Sequence, residues 1–118
     1  MKIDRKALQE LRELLVSARE LAGFAAECER THSGSIRPSE FMGFVMINIG
    51  YLGLEAFVVI NDDADEWRDG FEGILYALCR SVDKAIDNPH SEKQKELLEE
   101  LKGVIISIDQ WHTKYVAD

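Results

Sequence analysis

Apolar residues along the chain fall into four blocks separated by short polar breaks. In the first block, Leu8, Leu11, Leu15, Ala18, Ala22 and Ala25 recur at alternating steps of three and four. That spacing places them on one face of a helix over about 4–31. Leu14, Leu21 and Cys28 widen the stripe on one flank, and Arg5, Arg12 and Arg19 repeat every seven residues on the other, with Glu13, Glu20 and Glu27 beside them. The arginine row reads as a solvated face laced with salt bridges rather than a nucleic-acid contact. Thr31-His32-Ser33-Gly34-Ser35 breaks the helix, since Gly34 can adopt the left-handed conformation.

The second block opens on Pro38-Ser39-Glu40 and is almost entirely apolar from Phe41 to Ile60, interrupted by Asn48, Glu55 and three glycines at 43, 50 and 53. The preferred reading is a buried helix over about 39–60. A hairpin of strands Phe44–Ile49 and Leu54–Ile60 is the first alternative, because the run is rich in Val, Ile and Phe. A membrane span is the second, weakened by the asparagine, the glutamate and the glycines. Three amphipathic neighbours need an apolar surface to cover, which favours the buried helix.

A third helix is expected over about 63–87, where Asp63 and Glu66 form a capping-box pattern. Trp67, Phe71, Ile74, Leu78 and Ala85 form its core face, flanked by Leu75, Val82 and Ile86. The fourth, over about 89–116, is read with Asn88 as N-cap and Pro89 at the first helical position. Its seam is Leu97, Leu101, Val104, Ile108, Trp111 and Tyr115. Short joints force successive helices to run antiparallel. The expected fold is therefore all-α, a single antiparallel four-helix bundle over residues 1–118.

The chain has 118 residues, enough for one core without metal or disulfide support. Its two cysteines, Cys28 and Cys79, lie in apolar helical patterns and read as small buried hydrophobes of a reducing compartment. Charges run throughout Met1 to Glu13, unlike a secretory leader, so the expected location is cytoplasmic. The formal net charge of −8 repels nucleic acid and anionic membranes and suits a basic partner.

Several patterns resemble metal or phosphoryl chemistry. Asn61 to Glu72 has the length of an EF-hand loop, with oxygen-bearing side chains at Asn61, Asp63, Asp65, Asp69 and Glu72. Glu66 replaces the glycine that the loop needs for its turn, and Arg68 replaces an apolar residue. Carboxylates clustered at a helix N-terminus explain the acids without a metal. Glu29-x-x-His32 and Asp109-x-x-His112 resemble the paired ligands of di-iron carboxylate bundles. In this topology the two motifs fall at opposite ends of the bundle, roughly 30 Å apart. His90-x-x-Lys93 resembles the phosphoacceptor stretch of histidine phosphotransfer domains, but follows a proline at a helix start and has Gln94 where that family has a small glycine. No phosphate-binding glycine loop, Cys-x-x-Cys pair or serine nucleophile elbow occurs.

The chain is accordingly read as an interaction protein and not an enzyme, with no cofactor. The second helix carries more apolar surface than one bundle can cover, so Phe41, Phe44, Ile47, Gly50, Tyr51, Phe57 and Val58 are the candidate interface, with a homodimer as the simplest outcome. Asp62, Asp63, Asp65, Glu66 and Asp69 form a candidate acidic binding surface. The alternative is a small-molecule or metal site where Glu55, Glu72, Asp109 and His112 could meet, because a carboxylate within an apolar helix must be paired or reach the surface.

Overall fold

A computed structural model of the protein describes residues 3–34, 37–61 and 66–116, except for the side chains of Ser33 and of residues 57–61 and 66–69. Four helices follow in order: α1 (Arg5–Ser33), α2 (Glu40–Asn61), α3 (Glu66–Asp87) and α4 (Glu92–Tyr115). The hairpin alternative fails, because both of its strands lie within α2. No helix among the described residues is long and apolar enough to cross a membrane. The capping-box pattern of Asp63 and Glu66 lies outside the described side chains.

Helix ends are fixed by local chemistry. The side chain of Asp4 accepts a hydrogen bond from the Ala7 N–H at 2.8 Å and opens α1. Gly34, at φ 73°, closes it, and its N–H donates to the Arg30 carbonyl at 2.8 Å. The start of α4 differs from the Asn88–Pro89 reading. Asn88 instead finishes α3: its N–H donates to the Ala85 carbonyl at 3.2 Å and its amide to the Lys84 carbonyl at 2.9 Å. Ser91 is the N-cap of α4, with its hydroxyl accepting from the Gln94 N–H at 3.1 Å. Gln94 reaches back to accept the His90 N–H at 2.8 Å, a variant of the capping box.

The helices form a ring in which each packs against its two neighbours in sequence or closure, and among the described residues the backbones of diagonal pairs do not approach. The seams of α1 with α4 and of α2 with α3 are extensive, and that of α1 with α2 is the thinnest. The molecule measures 46 × 24 × 21 Å, its long axis set by the helices.

Small and large side chains meet across the core. Helix α1 contributes Ala7, Leu11, Ala18, Ala22 and Ala25, whereas α4 contributes Leu97, Leu98, Leu101, Ile105, Ile108 and Trp111. Alanines on one helix leave room for bulky residues on the other, so the pair packs densely without strain. Two buried polar contacts fix its register. The Trp111 indole N–H donates to the Ala7 carbonyl at 2.8 Å near one end, and Gln94 Nε2 donates to the Ala25 carbonyl at 3.2 Å near the other. Helix α2 buries Met42, Val45, Ile49, Leu52 and Ala56, again in steps of three and four, and α3 buries Phe71, Leu75, Leu78, Val82 and Ala85. Cys28 and Cys79 are half-buried and free.

Candidate functional site

The burial of α2 explains why its sequence is apolar nearly all round. One stripe, from Met42 to Ala56, faces the core. Two residues on from each of its first four members lie Phe44, Ile47, Tyr51 and Leu54, a second stripe with the same spacing. At 100° per residue, an offset of two turns the second stripe to the opposite side of the helix. These four side chains are 48%, 54%, 53% and 65% exposed. Met46 adds to their edge, and no charged residue lies between Glu40 and Glu55. The outer stripe therefore has the spacing of a helix–helix seam but no helix upon it.

Glycines flatten one border of this face. A Cβ added at Gly43 or Gly50 would meet nothing within 4 Å. Of the sequence-derived interface, Phe44, Ile47, Gly50 and Tyr51 share the outward face, whereas Phe41 is half-buried against the core. Leu54 and Met46 belong to the face and were not among the expected residues. Phe57 and Val58 lie outside the described side chains, as do Asp62, Asp63, Asp65, Glu66 and Asp69 of the candidate acidic surface.

Two grooves flank the face. Between α2 and α3, Phe41, Phe44, Asn48, Tyr76 and Arg80 line a groove of about 310 Å³. Asn48 donates to the Ser81 hydroxyl at 3.2 Å across its floor, so the polar residue within the apolar run is paired. The exposed ring of Tyr76 carries the Arg80 guanidinium at 5.8 Å. Between α1 and α2, Leu8, Leu15, Val16, Arg12, Arg19 and Gly53 line a groove of about 470 Å³. The Arg19 guanidinium lies against Gly53, where an added Cβ would sit 2.8 Å from Nη2. Arg5, Arg12 and Arg19 form no ion pair among the described residues, so the expected salt-bridge lacing of that row is not found there.

The residues of the alternative ligand site are only partly gathered. His112 is buried and stacks on Phe71 with ring centroids 4.9 Å apart. Its Nδ1 lies 3.8 Å from Glu72 Oε1. Glu72 and Asp109 line the groove between α3 and α4 together with Cys79. Burial, then the charges of Asp83 and Asp109, push the Cys79 thiol above its ordinary pKa, away from the thiolate form that reacts. Glu55 lies instead on the α2 side of α3, its carboxylate packed over Gly70. No group of three His, Cys, Asp or Glu side chains among the described residues is placed to hold a metal ion.

A buried polar cluster ties three helices at one end and joins Glu29 to His90 and Gln94, which the sequence reading placed in separate motifs. The carboxylate of Glu29, only 3% exposed, accepts hydrogen bonds from the Ser39 N–H, from the Ser39 hydroxyl at 3.0 Å and from Gln94 Nε2 at 3.0 Å. His90 Nε2 lies 3.6 Å away. Burial alone would raise the pKa of Glu29, but the Ser39 N–H, Gln94 and the Ser39 hydroxyl, with a smaller contribution from the His90 charge, outweigh it and hold the carboxyl below its ordinary value. Every partner of Glu29 belongs to a helix start or a joint, so the cluster serves the fold. The chain matches no protein-family model, no curated protein and no solved structure.

Proposed function

We propose that this chain is a small interaction module, acting by binding a protein through the outward face of α2 and not by catalysis. The observation that carries the reading is the second apolar stripe, Phe44, Ile47, Tyr51 and Leu54, exposed on a helix that carries no charge between Glu40 and Glu55. Large apolar side chains aligned in water mark an interaction surface, because each has transfer free energy to gain on being covered. A formal charge of −8 keeps the chain soluble, while Arg12, Arg19 and Arg80 stand in the grooves that flank the stripe. An adaptor, an inhibitor, or an immunity- or antitoxin-like factor of the cytoplasm fits this description, and a second copy of the chain is the simplest partner.

The test compares wild type with an Ile47→Lys/Leu54→Lys variant. Both positions are exposed, so the variant should keep its helical circular dichroism. Wild-type protein should bind an apolar-surface dye when dilute and retain a protein partner, its own copy included, when concentrated, and the variant should lose both. Equal dye binding and equal partner retention by the two proteins would overturn the assignment of the face.

A further inference from the structure

We infer that the outward face of α2 is a two-fold dimer interface in which the α2 helices of two copies pack antiparallel, centred near Ile49. The inference rests on the proposed role of that face and names its partner. Three observations support it.

The first is area. Phe44, Met46, Ile47, Tyr51 and Leu54 are each between 42% and 65% exposed. At the usual size of such side chains they leave roughly 500 Å² in water, or about 1,000 Å² for two copies, which reaches the lower bound for a specific interface before any flanking residue is counted.

The second is register. Phe44, Ile47, Tyr51 and Leu54 follow steps of three, four and three, which is symmetric about residue 49. A two-fold axis at that point sets Phe44 opposite Leu54 of the second copy and Ile47 opposite Tyr51. Each layer then pairs an aromatic ring with a branched aliphatic, whereas a parallel pair sets Tyr51 against Tyr51 and Ile47 against Ile47. The open Cβ positions of Gly43 and Gly50 permit the close approach.

The third is charge on the neighbouring helix. Arg19 lies level with Gly53, and Gly23 and Ala26 line the same seam as Met46. The centre of the stripe is therefore level with Gly23 on α1. Arg19 and Glu27 stand four residues to either side of Gly23, so the same axis brings Arg19 of one copy level with Glu27 of the other, a carboxylate already held by Arg30 of its own chain that Arg19 would share. Arg19 has no acidic partner among the described residues of its own chain. Opposite charges at the rim select this orientation over its competitors.

The test has two parts. Sedimentation of the full chain should show a dimer at about 100 µM, where a pair with a micromolar dissociation constant is largely associated. Gly50→Leu should weaken it about tenfold or more, with an unchanged fold, because the new side chain enters open space in the monomer. Orientation is read by disulfide capture in a Cys28→Ser/Cys79→Ser background. Ile47→Cys and Tyr51→Cys proteins, oxidised as an equal mixture, should give chiefly the mixed disulfide. Arg19→Glu and Glu27→Arg should each weaken association, and the double variant should recover it. Preference for like-with-like disulfides would overturn the antiparallel geometry. A monomer at that concentration would overturn self-association. If the monomer still binds an apolar dye that Leu54→Lys abolishes, the face keeps its broader role with another partner; if it binds none, that role falls too.

Discussion

The Glu29 carboxylate and the Gln94 amide meet at 3.0 Å in the interior, joining the end of α1 to the first turn of α4. Both side chains are nearly inaccessible, at 3% and 1% exposed. Removing the carboxylate leaves the Ser39 N–H without its acceptor and the Gln94 amide with the Ala25 carbonyl alone. Glu29→Ala should therefore cost about 2–4 kcal/mol, since an unsatisfied buried donor costs its full desolvation. Urea titration checks this, and a loss below about 0.5 kcal/mol, the range of ordinary surface substitutions, would mean that water replaces the carboxylate.

The same group makes a pH prediction. Its pKa is lowered in the folded protein, so the unfolded chain binds the proton more readily. The stabilisation is present above the ordinary glutamate value of roughly 4.3 and is lost as pH falls through the lower folded value. Wild type should lose stability more steeply than Glu29→Gln as pH is lowered below about 5. Parallel curves would assign the acid sensitivity to other carboxylates.

Caps can be distinguished by substitution. Ser91→Ala should destabilise by about 1 kcal/mol, because the Gln94 N–H loses the hydroxyl that caps α4. Asn88→Ala should cost less, since Asn88 is exposed and its amide bonds only to the Lys84 carbonyl at the end of α3. Equal or reversed effects in thermal melts would restore Asn88 as the start of α4.

The comparison of these caps shows what was legible in the sequence. Periodicity located the α4 seam, because Leu97, Leu101, Ile108 and Trp111 report burial directly. The excess of apolar surface on α2 was equally visible, although which residues face outward required the position of the core stripe. Asn88-Pro89 is a strong local start signal, but Ser91 with Gln94 wins because Gln94 is also anchored to α1 across the core. Glu29 sits in the charged run Glu27-Cys28-Glu29-Arg30 and stands out in the sequence only through its Glu29-x-x-His32 spacing. Its position four residues beyond Ala25 on the core face was the available signal. Its partners Ser39 and Gln94 are remote in sequence, and no local pattern encodes such a pairing.

The indole of Trp111 offers a separate probe of the opposite end. Its N–H donates to the Ala7 carbonyl at 2.8 Å, a buried bond between α4 and α1. Trp111→Phe keeps an aromatic ring but deletes the donor and part of the volume. The loss should be about 1–3 kcal/mol, combining an unsatisfied carbonyl with a small cavity. Calorimetry should show a midpoint lower by several degrees for a domain of this size. An unchanged midpoint would show that the α1–α4 pair is held without this bond.

Two glycines should respond in opposite directions to the same change. Gly103 lies in the middle of α4, exposed, and an added Cβ would meet nothing within 4 Å. Gly103→Ala should therefore stabilise by about 0.5–1 kcal/mol, through the smaller entropy of the unfolded chain and the better helix propensity of alanine. Gly34 is equally uncrowded, yet its φ of 73° is the left-handed conformation that closes α1. Gly34→Ala should destabilise by about 1 kcal/mol, the cost of a Cβ beside the carbonyl in that region. Space is the same at both sites, so the difference isolates backbone conformation. Urea midpoints of the two variants against wild type measure it. A gain at both positions would mean that the end of α1 reorganises around residue 34 instead of holding the left-handed cap.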